Sequence, residues 1–282
     1  MKKVRQWRFY LRIGKQKFDC GQRTYIMGIL NVTPDSFSDG GSFYQVDDAL
    51  KHAEDMVKKG AHVLDIGGES TRPGYTQISE EEEMERIVPI ISAIKKNIDI
   101  PISVDTYKGK VAEAAILAGA DLINDIWGLK YDAFMAKIIA KYQVPCCLMH
   151  NRKNRNYRDF FADVLEDLKE SLEIAEKAGI PKDKIILDPG VGFAKTYEQN
   201  LEMIANMGKL KELGCPLLLG TSRKSVIGLT LDLPAEERLE GTLVTTVMAV
   251  EQGYSFVRVH DVLENARAVQ MAEAILNRRT NG

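Results

Sequence analysis

From residue 25 onward the chain alternates short apolar runs with longer amphipathic stretches. The runs are YIMGILN (25–31), HVLDIGG (62–68), PISVDT (101–106), DLINDI (121–126), VPCCLMH (144–150), KIILDPG (184–190), PLLLGTS (216–222) and SFVRVH (255–260). Runs this uniformly apolar predict strands buried on both faces, and parallel strands covered by helices are the usual origin of that pattern. The intervening stretches, such as DDALKHAEDMVKKG (47–60) and RDFFADVLEDLKESLEIAEKAG (158–179), repeat apolar residues close to every 3.6 positions. Several stop at glycine, at Gly60, Gly119, Gly179 and Gly253, the residue expected just beyond a helix C-terminus.

Eight strand-helix units follow from that reading. Such alternation serves both an open doubly wound sheet and a closed barrel. Eight units, with no G-x-G-x-x-G after the first strand, favour an α/β (β/α)8 TIM barrel. Residues 6–19 alternate roughly about Gly14-Lys15, which predicts a short N-terminal β-hairpin within 1–20, able to plug the lower end of a barrel spanning 24–278. No linker or low-complexity run divides the 282 residues, so 1–282 reads as a single domain.

Charge narrows the partners. With 38 basic and 40 acidic residues and a net charge of -2, the chain offers no overall field for nucleic acid or an anionic membrane, so the expected partners are small molecules. Glu80 to Glu83 read as the first turn of a helix, where negative charge complements the dipole. Cys20, Cys146, Cys147 and Cys215 lack metal-site spacing, and Cys146-Cys147 lie in an apolar run, which fits a reducing compartment. Without a signal-peptide core or eighteen consecutive apolar residues, the expectation is a cytoplasmic protein.

In a barrel of this kind the strand C-termini and the loops after them make the active site. Those ends are Asn31, Asp65 with Gly67-Gly68, Asp105, Asn124 with Asp125, Met149 with His150, Asp188, Ser222 with Arg223 and Lys224, and Arg258 with His260. Asp65 and Asp125 could each either face the mouth or satisfy loop amides. Asp105, Asn124, Asp188 and Lys224 would converge on one mouth, where unpaired buried groups cost roughly 1–3 kcal/mol each unless a ligand satisfies them. Two carboxylates, an amide and a lysine suit a flat heterocycle with an N–H/NH₂ edge. Arg258 could stack on such a ring, and with His260 two residues on it forms an anion clamp. Two long loops, 31–44 and 67–79, have the character of lids. His52 and His62 read as solvated and structural, and His150 stays open.

The motifs MGILNVTPDSFSDGG (27–41), GAHVLDIGGESTRPG (60–74), SVDTYK, INDIWG, LDPGVGFAK, GTSRKSVIG and RVHDV closely resemble those of dihydropteroate synthases, the folate-pathway enzymes that sulfonamides inhibit. The resemblance runs essentially end to end. It implies attack of p-aminobenzoate on the CH₂ of 6-hydroxymethyl-7,8-dihydropterin diphosphate, with Mg²⁺ as cofactor and a homodimer formed through 236–252 and 261–278. It assigns Asp105, Asn124, Met149, Asp188, Lys224 and Arg258 to the pterin. Asn31, Thr71, Arg72, Arg258 and His260 resemble the diphosphate site, with Asn31 the expected metal ligand. Phe37, Thr71, Pro73, Phe193, Lys224 and Ser225 resemble the p-aminobenzoate pocket. Asp35, Thr71, Arg72 and Lys224 are the expected catalytic groups, with Ser36 near the reacting end. For Lys224 a hydrogen-bonding role toward the pterin is preferred over a general base or a Schiff-base amine.

Overall fold

The computed structural model describes residues 9–32, 42–69 and 77–278. The expected hairpin is present: β1 (Phe9–Ile13) pairs antiparallel with β2 (Gln16–Cys20) across a turn at Gly14-Lys15. Its alternation buries Leu11, Ile13, Phe18 and Cys20 against Tyr25, Met27, Val63, Leu122, Cys147, Ile186, Leu218 and Phe256, which belong to the lower parts of the barrel strands. The hairpin thus plugs the bottom with apolar side chains.

The barrel strands are β3 (Tyr25–Asn31), β4 (Val63–Gly67), β5 (Ile102–Asp105), β6 (Leu122–Asp125), β7 (Cys146–Met149), β8 (Ile185–Asp188), β9 (Leu218–Leu219) and β10 (Phe256–Val259). They form one parallel sheet in the order β8-β7-β6-β5-β4-β3-β10-β9. A parallel bridge between Leu187 and Leu217 joins its two edges and closes the barrel.

Among the described residues the helices are α1 (Ser42–Lys58), α2 (Glu80–Asn97), α3 (Gly109–Ala118), α4 (Ala133–Tyr142), α5 (Phe160–Ala178), α6 (Tyr197–Asn206), α7 (Ser225–Leu231), α8 (Leu239–Glu251) and α9 (Val262–Leu276). α1 starts five residues before the predicted stretch at 47. The stretch 196–210 divides into α6 and a 3₁₀ segment, Met207–Leu213, and 235–253 into a 3₁₀ turn, Ala235–Glu237, and α8. α7 was not expected. It is short, buries Val226 and Ile227 while Leu229 and Leu231 stay exposed, and ends at Asp232 in the left-handed region, so its periodicity spans too few residues to stand out. No described helix is long and apolar enough to cross a membrane.

Strand alternation sorts the side chains into two sets. Leu64, Ile66, Ile102, Val104, Ile123, Leu148, Leu187 and Val257 face outward into the layer beneath the helices. Val63, Leu122, Cys147, Ile186 and Phe256 face inward above the hairpin. Two residues further along, the inward positions are Asp65, Asn124, Met149, Asp188 and Arg258, polar on every strand but β7, and they build the site.

Candidate active site

Asp65, two residues beyond inward-facing Val63, lies completely buried at the floor of the mouth. Its Oδ1 accepts from Ser103 Oγ at 2.5 Å, and its Oδ2 accepts from Asn124 Nδ2 at 3.3 Å and Arg258 Nε at 2.5 Å. Registry explains the convergence, since Asp65 lies opposite Ser103 on β5. A buried carboxylate is tolerated only when its lone pairs are met, and here three donors on three other strands meet them. Asp65 therefore orients Asn124 and Arg258 rather than capping a helix. Asp125 takes the other course: one position past inward Asn124, it turns outward and accepts from the backbone N–H of Trp127 at 2.8 Å and Leu129 at 2.7 Å.

Above this floor, Asp105 faces Asn124 in register and accepts from Arg258 Nη2 at 2.7 Å through Oδ2. Its Oδ1 is buried and has no hydrogen-bond partner among the described residues. Burial pushes its carboxyl up to about 7, although Arg258 pulls the other way. Burial also works against the charge of Arg258, yet Asp65 and Asp105 hold it above the ordinary guanidinium value.

Asp188 ends β8, and its Oδ1 accepts from Gly190 N at 2.7 Å. Burial raises its pKa against the attraction of Lys224. Pro189 and Gly190 turn the chain sharply. Gly190 has φ +66°, and a Cβ there would overlap the His150 carbonyl oxygen, so no other residue fits. Across the mouth, a Cβ on Gly220 would lie 3.4 Å from Asp188 Oδ2, 3.9 Å from Arg258 Cβ and 4.0 Å from Lys224 Nζ. The bare backbone at 220 leaves a slot bordered by the Asp188 carboxylate, the Lys224 ammonium and the stem of Arg258. Lys224 donates to Val191 O, and its Nζ lies 4.7 Å from the Phe193 ring centroid. Burial depresses its ammonium to about 8, with Asp188 opposing.

Met149 is buried with Tyr107 and Ile126 in an apolar cluster that Trp127 and Phe193 flank. On the opposite side, the Asn31 amide stands over Gly67 beside Asp105: a Cβ at Gly67 would be 3.7 Å from both Asn31 Oδ1 and Asp105 Cβ. His260 Nδ1 lies 3.0 Å from Ser222 Oγ, which also accepts from His260 N at 3.2 Å. Arg223, at φ +59°, points away from the slot and pairs with Asp261 through Nε at 3.1 Å. Its carbonyl accepts from Arg238 Nη1 at 2.9 Å, so the Ser222–Lys224 turn is braced from behind. Ser225 is exposed at the first position of α7.

The family model described as "Pterin binding enzyme" matches residues 27–260, which contain every side chain of this mouth. The chain belongs to the pterin binding enzyme family. A dihydropteroate synthase of Clostridium beijerinckii is 62% identical over 269 residues, covering 95% of this chain and all of that protein. The structure of a Clostridium difficile dihydropteroate synthase in the presence of pteroic acid superimposes with a TM-score of 0.90 at 53% identity, over 92% of this chain and 98% of that one. A Xanthomonas albilineans dihydropteroate synthase with 4-aminobenzoic acid does so with a TM-score of 0.90 at 39% identity, over 95% and 98%.

In this member of the pterin binding enzyme family, the mouth brings together Asp105, Asn124, Met149, Asp188, Lys224 and Arg258, with Asn31, His260 and Phe193 around them. Asp35, Ser36, Phe37, Thr71, Arg72 and Pro73 lie outside the described residues. Sequence reasoning passed over Ser103 and left Asp65 undecided, though both occupy inward positions by the same two-residue alternation that marks Val63 and Asp105. His150 follows inward Met149 and so faces outward, where it contacts Asp167 and Lys195 rather than the mouth. Lys195, buried at the end of LDPGVGFAK, was also missed.

Proposed function

We propose that this chain joins p-aminobenzoate to 6-hydroxymethyl-7,8-dihydropterin diphosphate, releasing diphosphate and forming 7,8-dihydropteroate, a transferase step of folate biosynthesis. One observation carries the reading of the mouth: a buried Asp105 Oδ1, without a partner among the described residues, belongs to the carboxylate paired with Arg258, which with Asp188 and Lys224 borders Gly220. Such an acceptor calls for a ligand N–H. A pterin supplies several on one planar edge.

The chain's own groups then divide the work. Asp188 and Asp105 accept from the amino-pyrimidine edge, Asn124 is oriented by Asp65, and Lys224 donates to the ring carbonyl or a ring nitrogen. An aromatic amine is already an adequate nucleophile, so no Ser-His pair is required. The demanding event is departure of a multiply charged diphosphate, and Arg258 and His260 stand on the side where that charge develops. The buried carboxylates favour positive charge spreading from CH₂ into the pterin, which supports a dissociative substitution. Trapping of a pterin cation before the amine bond forms would agree with that order. A large carbon isotope effect at CH₂ with no such species would oppose it.

Mg²⁺ suits this donor set. The ion would be held by diphosphate oxygens and water, with Asn31 Oδ1, which stands beside Asp105 over Gly67, as a protein ligand. When bound, it acts as a Lewis acid toward the leaving group. We also infer a homodimer, supported by apolar side chains left uncovered on the late helices: Val244 is 60% exposed, Met271 62% and Ile275 51%. Sedimentation of the wild type as a dimer and of Val244→Glu as a monomer would bear this out. The free, buried cysteines agree with a cytoplasmic setting.

The deciding assay is diphosphate release that requires the pterin diphosphate, p-aminobenzoate and Mg²⁺ together. Folded protein lacking that three-way dependence would overturn the assignment. A folate-corrinoid methyl carrier is disfavoured because a neutral methyl donor gives Arg258 and His260 no developing anion to meet.

A further inference from the structure

Lys195 is 3% exposed, and its Nζ makes three hydrogen bonds: to Gly190 O at 2.8 Å, to Phe193 O at 3.1 Å and to His150 Nδ1 at 2.8 Å. Burial lowers the Lys195 pKa to about 7, and in its protonated form the amine has three N–H groups and no acceptor, which this set saturates. Because Nδ1 of His150 accepts, its Nε2–H donates to Asp167 Oδ2 at 2.9 Å, and Asp167 is in turn held by Arg152 through Nη2 at 3.1 Å. Burial, aided by the Lys195 ammonium, pushes His150 down to about 3 and keeps it neutral as this arrangement requires. The chain of contacts is anchored outside the barrel and ends on the turn that follows β8.

That turn has an irregular backbone held by side chains from several elements. Gly190, Gly192 and Ala194 all have positive φ, the last at +47° without glycine's freedom. Asn200 Oδ1 takes Gly192 N at 2.6 Å and Tyr157 OH donates to Ala194 O at 3.0 Å. Lys195 alone reaches two of the turn's carbonyls from within. The same turn supplies the Val191 carbonyl that accepts from Lys224 and the Phe193 ring beneath the Lys224 ammonium. Burying a lysine is costly, and a methionine of similar length would fill the space without that cost. What only the amine provides is direction for those carbonyls.

We infer that Lys195 is a positioning residue for the p-aminobenzoate side of the site, acting through the 190–193 turn to set Phe193 and the partner carbonyl of Lys224. The inference rests on the proposed function, in which p-aminobenzoate lies by Phe193 and Lys224. Lys195 touches neither substrate and is not a catalytic residue.

The test is steady-state kinetics on Lys195→Met, Phe193→Leu and the double variant, with pterin affinity measured separately by calorimetry. Lys195→Met raises KM for p-aminobenzoate about tenfold with kcat at saturation and pterin affinity each within about threefold, and adds less than about twofold on the Phe193→Leu background. A purely structural lysine would instead lower the active fraction, reducing kcat at unchanged KM. That result, or full additivity with Phe193→Leu, overturns the inference. Should Lys195→Met fail to fold, Lys195→Gln keeps two N–H donors but is too short to reach all three acceptors, and it must raise KM for p-aminobenzoate at least about threefold or the inference falls. Wild-type protein without three-way-dependent diphosphate release would sink the functional reading itself, whereas active wild type with unchanged KM in the variants sinks only the role of Lys195.

Discussion

Arg258 donates to Asp105 Oδ2 at 2.7 Å and leaves the carboxylate's other oxygen buried and partnerless among the described residues. The ion pair fixes the geometry of an acceptor whose use is reserved for a ligand. Asp105→Asn should therefore weaken pterin binding by about 2 kcal/mol, roughly thirtyfold, the worth of a hydrogen bond to a charged group. Calorimetric titration with a pterin checks this, and a loss under about threefold would show that Oδ1 meets no ligand.

Asp105 and Lys224 together set a pH window. Asp105 must be ionised to accept, and burial places it at about 7, so kcat/KM for the pterin diphosphate should fall as pH drops below that value. Lys224 must keep its proton to donate, and burial places it at about 8, so activity should fall again above it. The expected profile is a narrow bell. Asp105→Asn, at its lower activity, should lose the acid limb and keep the alkaline one.

Chelation should abolish turnover but leave far-ultraviolet circular dichroism and pterin affinity unchanged, because the pterin-binding groups are side chains of the barrel itself. Readdition of Mg²⁺ should restore the rate. Asn31→Ala should raise the Mg²⁺ concentration needed for half-maximal rate by about tenfold or more. An unchanged requirement would remove Asn31 from the metal's coordination.

Lys108 carries a different burden. Its Nζ lies 2.7 Å from both Glu69 Oε2 and Glu83 Oε2 and 2.8 Å from Ile78 O, tying together the two described ends of the second long loop. Lys108→Met would leave two buried carboxylates facing each other and should cost about 3–5 kcal/mol, measured as a shift in urea unfolding. Burial already raises Glu83 above the usual carboxylate range. Without Lys108 protonation comes easier still, so the deficit should shrink as pH falls toward 5. A deficit that grows on acidification would contradict this origin.

Much of the site was legible because strand alternation is a rule with period two. Once Asp105 and Asn124 are known to face inward, Ser103 follows two residues back on β5, Asp65 follows two residues beyond inward Val63 on β4, and Asp125 and His150 fall on the outer face by one-residue displacement. Partnership was not legible. That Asp65 gathers donors from three other strands depends on sheet order and register, and Lys195 reaches His150 across 45 positions of sequence. α7 escaped because seven residues carry too little periodicity, and the helical stretches 196–210 and 235–253 subdivided because local 3₁₀ geometry leaves the apolar spacing nearly unchanged.

The hairpin at the bottom has a consequence for traffic. With Leu11, Ile13 and Phe18 sealing the lower end, the barrel is a blind well with one door. Whatever reaches Asp65 and Asp105 therefore comes from the opposite end, past the polar strand ends.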